Sequence, residues 1–296
     1  TLDMMQEYLE KALALNEPAF AVDRIDLIGP NEPSAETLAT IGTYSELARL
    51  LGERTAELHL AMASSDRNPD FEPEPFGTLY QRARYQSMRN TASRSLGQLQ
   101  GSLSSLPQTV QDDARRVLDA RSRIDGVLRS IVGRRLVGRR TRCHGDYHLG
   151  QILYTGRDFV ILDFEGEPAR PIAERRLKRS PLVDVAGMLR SFDYASWYWL
   201  VKAATEGNIR VEDVPAAEPW ARLWSRLVGR VYLEAYLPPV QEAGILSSDP
   251  EQISGLLDVL LLEKSLYELG YELGHRPEWV GVPLRGIVEL LGEEAS

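Results

Sequence analysis

Two short apolar runs, residues 151–154 and 159–163, flank the turn Thr155-Gly156-Arg157-Asp158, and this pattern constrains the fold of the chain more than any other. Runs of strand length on either side of a Gly-containing turn pair as an antiparallel hairpin, with Gly156 supplying the positive φ that the turn needs. Such a hairpin brings Gln151 and Asp163 together. Just ahead of it stands Cys143-His144-Gly145-Asp146-Tyr147-His148-Leu149-Gly150, and residues 139–143 form a further short strand candidate. Asp146 therefore sits on the loop leading into the hairpin and faces the same cleft.

The remainder of the chain is patterned for helices. Residues 34–63 place Leu38, Ile41, Tyr44, Leu47, Ala48, Leu51 and Leu58 three and four apart, as one amphipathic helix or a pair interrupted near Gly52. A Pro-, Asp- and Glu-rich loop over 64–75 ends where Phe76 begins the next helix. Pro107 starts a helix running to about Val137, and Ser180-Pro181 opens another. Helical stretches over 219–236, 250–273 and 284–291 follow, with Pro238-Pro239 and Gly244 marking a turn, and residues 2–15 read as an opening helix.

Phosphoryl transfer from a nucleotide needs a carboxylate to orient and deprotonate an acceptor hydroxyl, and oxygen ligands for one or two Mg²⁺ ions. Asp146 suits the first role, and Gln151 with Asp163 suits the second. Glu165 points to the same side as Asp163 if the strand continues, where it would assist a second metal. His144 and His148 lack the partners of a zinc site, and Mg²⁺ prefers oxygen, so they read as loop-bracing histidines. His59 reads as a buried histidine with a satisfied ring nitrogen. Arg170, Arg175, Arg176, Lys178 and Arg179 form a local basic cluster, either a solvated loop or a group neutralising phosphate; Arg170 and Arg175 lie nearest Asp163.

The run HGDYHLGQILYTGRDFVILDFEGEPARPIAERRLKRSPLVDVAGMLRSFDYAS resembles the maltokinases, ATP-dependent maltose 1-phosphotransferases of the aminoglycoside-phosphotransferase, protein-kinase-like fold. Gln151, where the wider superfamily carries Asn, and the DFEGEPARP continuation point to that branch, and residues 51–59 and 76–90 are similar as well. The resemblance implies transfer of the ATP γ-phosphate to the anomeric hydroxyl of maltose, giving maltose 1-phosphate. It also implies that Asp184, otherwise a first-turn acid opposing a helix dipole, accepts backbone hydrogen bonds from the catalytic loop. Glu263, Tyr267 and Tyr271, with Lys264 at their edge, recur on one helix face. Their spacing alone suits core tyrosines with polar tips; the resemblance assigns them to maltose.

No Gly-rich loop between strands and no Val-Ala-Ile-Lys-like strand precedes Asp146, and the chain opens at Thr1. The expectation is thus a C-terminal lobe of a protein-kinase-like, aminoglycoside-phosphotransferase-like fold, mainly α with a small β-hairpin catalytic region (α+β). Residues 1–137 would form the helical lead-in, 138–168 the catalytic hairpin and 169–296 the helical acceptor-binding part. Two other readings stand beside it: a kinase of the same fold for another small molecule, or a non-catalytic module that binds maltose or docks on trehalose synthase. A net charge of -9 argues against general affinity for nucleic acid. No apolar run approaches the ~20 residues that span a bilayer, and the opening lacks a signal-peptide pattern, so the cytoplasm is the default. Cys143, the single cysteine, cannot form an intramolecular disulfide and reads as a packed small residue.

Overall fold

A computed structural model of the chain describes Tyr8 and residues 26–29, 31–64, 68–133 and 136–292. The helix expected over residues 2–15 lies, apart from Tyr8, outside the described residues. The principal helices in chain order are α1 (Ala35–Thr40), α2 (Tyr44–Met62), α3 (Thr78–Ser102), α4 (Gln108–Asp119), α5 (Arg121–Arg129), α6 (Ile172–Arg175), α7 (Leu182–Thr205), α8 (Val214–Glu242), α9 (Pro250–His275) and α10 (Gly281–Leu291). The hairpin strands are β1 (Ile152–Tyr154) and β2 (Phe159–Ile161), so the fold is mainly helical with small sheets. Two compact units divide it, Thr1–Glu74 with Arg139–Pro250 and Pro75–Gly138 with Glu251–Ser296.

In the first unit the break in the 34–63 pattern falls just before Tyr44, where Gly42 takes φ +55°, and not at Gly52. Gly52 serves close packing instead. A Cβ there would lie 2.3 Å from the carbonyl oxygen of Tyr232, so its bare backbone lets α2 and α8 touch. Trp224, Tyr232, Tyr236, Phe192, Leu51 and Leu182 are fully buried in this core. The turn expected at Pro238-Pro239 is also corrected. Helix α8 continues through both prolines to Glu242. Proline there removes bonds to the carbonyls of Glu234 and Ala235; Glu234 is solvent-exposed, so water can replace what is lost, while buried Tyr236 and Val240 anchor the helix on either side.

The hairpin forms as its turn chemistry dictates. Ile152 pairs with Ile161, Leu153 with Val160 and Tyr154 with Phe159, while Gly156 takes φ +92°. Residues 139–143 are strand-like only at Arg139–Arg140, and Thr141 then exchanges two backbone bonds of 2.9 Å with Arg179. A clamp absent from any local pattern ties the hairpin to α2. Arg54 on α2 grips Asp158 in the turn through Nε–Oδ1 at 2.8 Å and Nη2–Oδ2 at 3.2 Å. The Arg54 hydrogen bond, then the Phe159 N–H, hold the Asp158 carboxyl below its ordinary value of 3.8. A carboxylate depressed in the folded state stabilises above its unfolded pKa and loses that contribution as pH falls through the folded one. Asp158→Ala should therefore lower the melting temperature by about 1–2 °C at pH 7, with the gap from the parent closing only in acid below pH 3.8. A gap that persists unchanged at pH 2 would show that the ion pair is not its source.

In the second unit the helix expected from Pro107 to about Val137 is two helices, α4 and α5, separated at Ala120 and ending at Arg129. Ala114, Val117, Ile124 and Leu128 still face inward, because the helical phase is nearly kept across the single-residue break. They share a core with Met88 and Leu99 of α3, Leu266 of α9 and Leu284 of α10. A charged pair enters this core. Arg84 of α3 donates to Glu263 of α9 at 2.5 Å, with side chains 10% and 13% exposed. Arg84→Met should cost about 2 kcal/mol in urea unfolding, mostly from stranding the Glu263 carboxylate. A loss below ~0.5 kcal/mol would mark the pair as no better than a surface bridge.

Candidate active site

The site is built on the loop between Thr141 and β1. Asp184, in the first turn of α7, is buried, and its two oxygens accept the loop's backbone donors: the His144 N–H at 2.7 Å and the Gly145 N–H at 2.9 Å. The same Oδ2 accepts from Nε2 of His59 on α2 at 3.2 Å. Gly145 takes φ +85°, which only glycine tolerates cheaply, and a Cβ there would come within 3.4 Å of the Gly166 Cα. The next anchor is Tyr147, whose hydroxyl donates to Thr55 Oγ1 at 2.8 Å while Thr55 donates onward to the Leu51 carbonyl. Helix α7 presses on the backbone from below, where Gly187 leaves room for the Tyr147 carbonyl. Asp146, between these anchors, keeps 18% of its side chain exposed.

His144 joins this loop to the segment carrying Asp163. Its Nε2 lies 2.7 Å from the Leu162 carbonyl, an acceptor only, so Nε2 carries the proton. Nδ1 then accepts the Asp146 N–H at 3.4 Å, and the ring packs 5.1 Å from that of Phe164. Asp163 follows with φ +60°, the left-handed region that a non-glycine residue enters at a cost of about 1 kcal/mol, and its carboxylate is exposed. Gln151 Nε2 donates to Asp163 Oδ2 at 3.1 Å. The hairpin therefore does join Gln151 to Asp163, with Asp146 one histidine away.

Strand geometry ends at Ile161, so the alternation argument for Glu165 lapses; Glu165 sits exposed in the turn beyond Asp163. Among the described residues no three His, Cys, Asp or Glu side chains converge as a metal cage. Mg²⁺ fits the pair present all the same. It binds through one or two carboxylates and completes its octahedron with water and substrate phosphate oxygens, and here an exposed carboxylate stands beside a carboxamide.

His148 Nδ1 accepts the Gly150 N–H at 3.0 Å, and its Nε2 stands 3.9 Å from Asp146 Oδ2, which places it at the edge of the carboxylate. The basic cluster turns inward more than a solvated loop would. Arg175 donates to the Arg170 and Pro168 carbonyls, both at 2.8 Å, and so folds the 166–175 segment on itself. Lys178 pairs with Glu74 at 3.0 Å, a carboxylate that Arg140 also grips. The Lys178 hydrogen bond holds the Glu74 carboxyl below the usual range. Arg179 is buried, and Arg170 stays half-buried beside Glu167. Burial raises the Cys143 thiol well above its ordinary pKa, which agrees with a packing role and not a nucleophile.

Glu263, Lys264, Tyr267 and Tyr271 all lie on α9 of the second unit, whereas the residues above belong to the first. Glu263 is committed to Arg84, the Lys264 ammonium lies 5.2 Å over the Tyr267 ring, and Tyr271 is exposed and stacked 4.5 Å from His275. The stripe thus runs from a buried ion pair to an open aromatic face. Arg54, Thr55 and Tyr236 escaped sequence reasoning, and no local signal marks them. Each acts on a partner at least 92 residues away.

A family model described as the phosphotransferase enzyme family (APH) matches residues 34–198, more than half of the chain. Among curated relatives, the glucosamine kinase of Streptacidiphilus jiangxiensis is 27% identical over 251 residues, covering 83% of this chain and 49% of that protein. The glucosamine kinase of Mycolicibacterium smegmatis is 35% identical over 155 residues, covering 52% of this chain and 35% of that protein. A solved glucosamine kinase in complex with glucosamine, ADP and inorganic phosphate superposes with a TM-score of 0.63 at 24% identity, over 84% of this chain and 54% of that one. A second crystal form gives a TM-score of 0.62 at 25% identity, over 86% and 54%. The chain spans about half the length, or less, of the relatives it matches.

Proposed function

The chain belongs to the phosphotransferase enzyme family, and on that footing we propose that it is the acceptor-activating part of a kinase that phosphorylates an amino sugar of the glucosamine type. The observation that carries the reading is the braced loop: Asp184 holds His144 and Gly145 by their N–H groups, and His144 in turn holds the segment of Asp163. That arrangement fixes a largely buried but still accessible carboxylate beside a pair suited to a cation, as transfer to a hydroxyl requires. The kinship of the chain to proteins named glucosamine kinase supports the amino sugar.

In this reading Asp146 orients the acceptor hydroxyl and receives its proton as the oxygen attacks the γ-phosphorus of ATP. The bond from that phosphorus to the bridging oxygen breaks, and ADP leaves with its electron pair. Asp163 and Gln151 would hold Mg²⁺, which when bound neutralises phosphate charge during transfer. His148 borders Asp146 and narrows the poses open to the acceptor. On this proposal Glu263, Lys264, Tyr267 and Tyr271 of the second unit are sugar-binding residues, the exposed Tyr271 ring offering an apolar face to a pyranose.

A second reading keeps maltose as the acceptor, and it draws on the DFEGEPARP run and Gln151. One experiment separates them. With γ-labelled ATP and Mg²⁺, phosphate should pass to glucosamine faster than to maltose, glucose or an aminoglycoside, judged by kcat/KM. Preference for maltose would restore the maltokinase reading and its link to trehalose synthase. Sugar binding by calorimetry without Mg-ATP binding or turnover would favour a non-catalytic module. No helix among the described residues is long and apolar enough to cross a membrane.

A further inference from the structure

We propose, on the kinase reading above, that Tyr236 of α8 is a positioning residue for phosphoryl transfer, acting on the Asp146 loop through His59 and Asp184. The Tyr236 hydroxyl lies 2.9 Å from His59 Nδ1, and both side chains are buried. His59 Nε2 faces the Asp184 carboxylate, which can only accept, so Nε2 must carry the imidazole proton. Nδ1 is then a bare lone pair, and Tyr236 must be the donor. Burial above all, then nearby Cys143, Asp184 and Tyr147, raises the Tyr236 pKa well above its ordinary value, so the hydroxyl keeps the proton it donates. One proton order therefore runs without a gap from Tyr236 O–H to His59 Nε2–H to Asp184, whose oxygens collect the His144 and Gly145 N–H groups.

The consequence is positional. Asp184 Oδ2 takes two of these donors, so the rotation of its carboxyl depends on the ring of His59 staying in plane. The edge-on packing of that ring against Tyr236, at 84° and 5.5 Å, and the hydrogen bond on Nδ1 are what hold it. Without the hydroxyl, Nδ1 is a buried acceptor with nothing to accept from, and the imidazole gains by turning away. The loop then loses its fixed register before any substrate arrives. A phenol can do this from the floor of the site without touching a reacting atom.

Amide hydrogen exchange followed by NMR on the chain tests the relay. In Tyr236→Phe, exchange at His144 and Gly145 should quicken about 10- to 100-fold. In Tyr85→Phe, which removes a phenol hydroxyl that donates to Asp125 in the second unit, those two amides should stay at the parental rate. Parental rates in Tyr236→Phe would overturn the proposal. Should that variant fail to fold, the imidazole ¹⁵N spectrum of the unaltered chain still decides: a proton on His59 Nε2 with a bare, hydrogen-bonded Nδ1 upholds it, and the Nδ1–H tautomer rejects it. If the protein turns over, Tyr236→Phe should lower kcat with the KM for the sugar little changed. Quickened exchange in a protein that phosphorylates no acceptor would uphold the relay and reject only the kinase reading.

Discussion

Replacing Asp146 by asparagine should lower kcat for ATP-dependent phosphorylation by roughly 10²–10⁴-fold, the range a positioned general base contributes. The substitution keeps the shape of the side chain and the N–H that His144 Nδ1 accepts, so thermal unfolding should match the parent. KM for the acceptor should shift only a few-fold, because an amide still hydrogen-bonds a hydroxyl while it cannot take up the proton. A variant retaining more than about a tenth of parental kcat would remove Asp146 from the role of base. Asp163→Asn supplies the companion measurement. There the loss should come with a raised Mg²⁺ requirement, since a neutral amide is the poorer ligand for a hard cation.

Asp184→Ala should destabilise the chain by about 3–5 kcal/mol, the largest single-residue loss expected, and lower the melting temperature by ~10 °C. The methyl group leaves three buried or half-buried donors with nothing to receive them: the His144 and Gly145 N–H groups and His59 Nε2–H. Water cannot easily enter, since Asp184 is 1% exposed and His59 fully buried. Asp184→Asn should not rescue it. Its amide can offer one oxygen acceptor, but its NH₂ then points at an N–H that also donates. Chemical denaturation with a resolved baseline measures this directly. A loss under 1 kcal/mol in the alanine variant would mean that the loop finds other acceptors, and the bracing role would fall.

The hairpin was legible because its information is local. The turn at Gly156 and the two flanking runs lie within a dozen residues, and a Gly-containing turn admits few pairings. Asp146, Gln151 and Asp163 followed from it, since a correct register brings its ends together. Helix limits were less legible, for a reason that several positions share. Gly52 carries the signature of a break, yet it lies inside α2, where the absent Cβ admits the backbone of α8. Pro238-Pro239 carry the signature of a turn, yet α8 keeps its course because burial on both sides outweighs two absent N–H bonds. The turn at Ala120 shows the converse, a helix pattern whose phase survives a break in the helix.

Sequence alone therefore determined the chemistry on offer: a carboxylate on a glycine-flexed loop, a second acid and an amide across a tight hairpin, and a basic segment behind them. Tertiary structure decided which side chains hold that chemistry still. Tyr236, His59 and Asp184 come from three helices and meet only when α2, α7 and α8 pack, and Arg54 finds Asp158 only when the hairpin settles on α2. The physical reason is range. Backbone periodicity and turn propensity act over a few residues, whereas a buried hydrogen-bond relay takes its strength from partners brought out of water together, however far apart they stand along the chain.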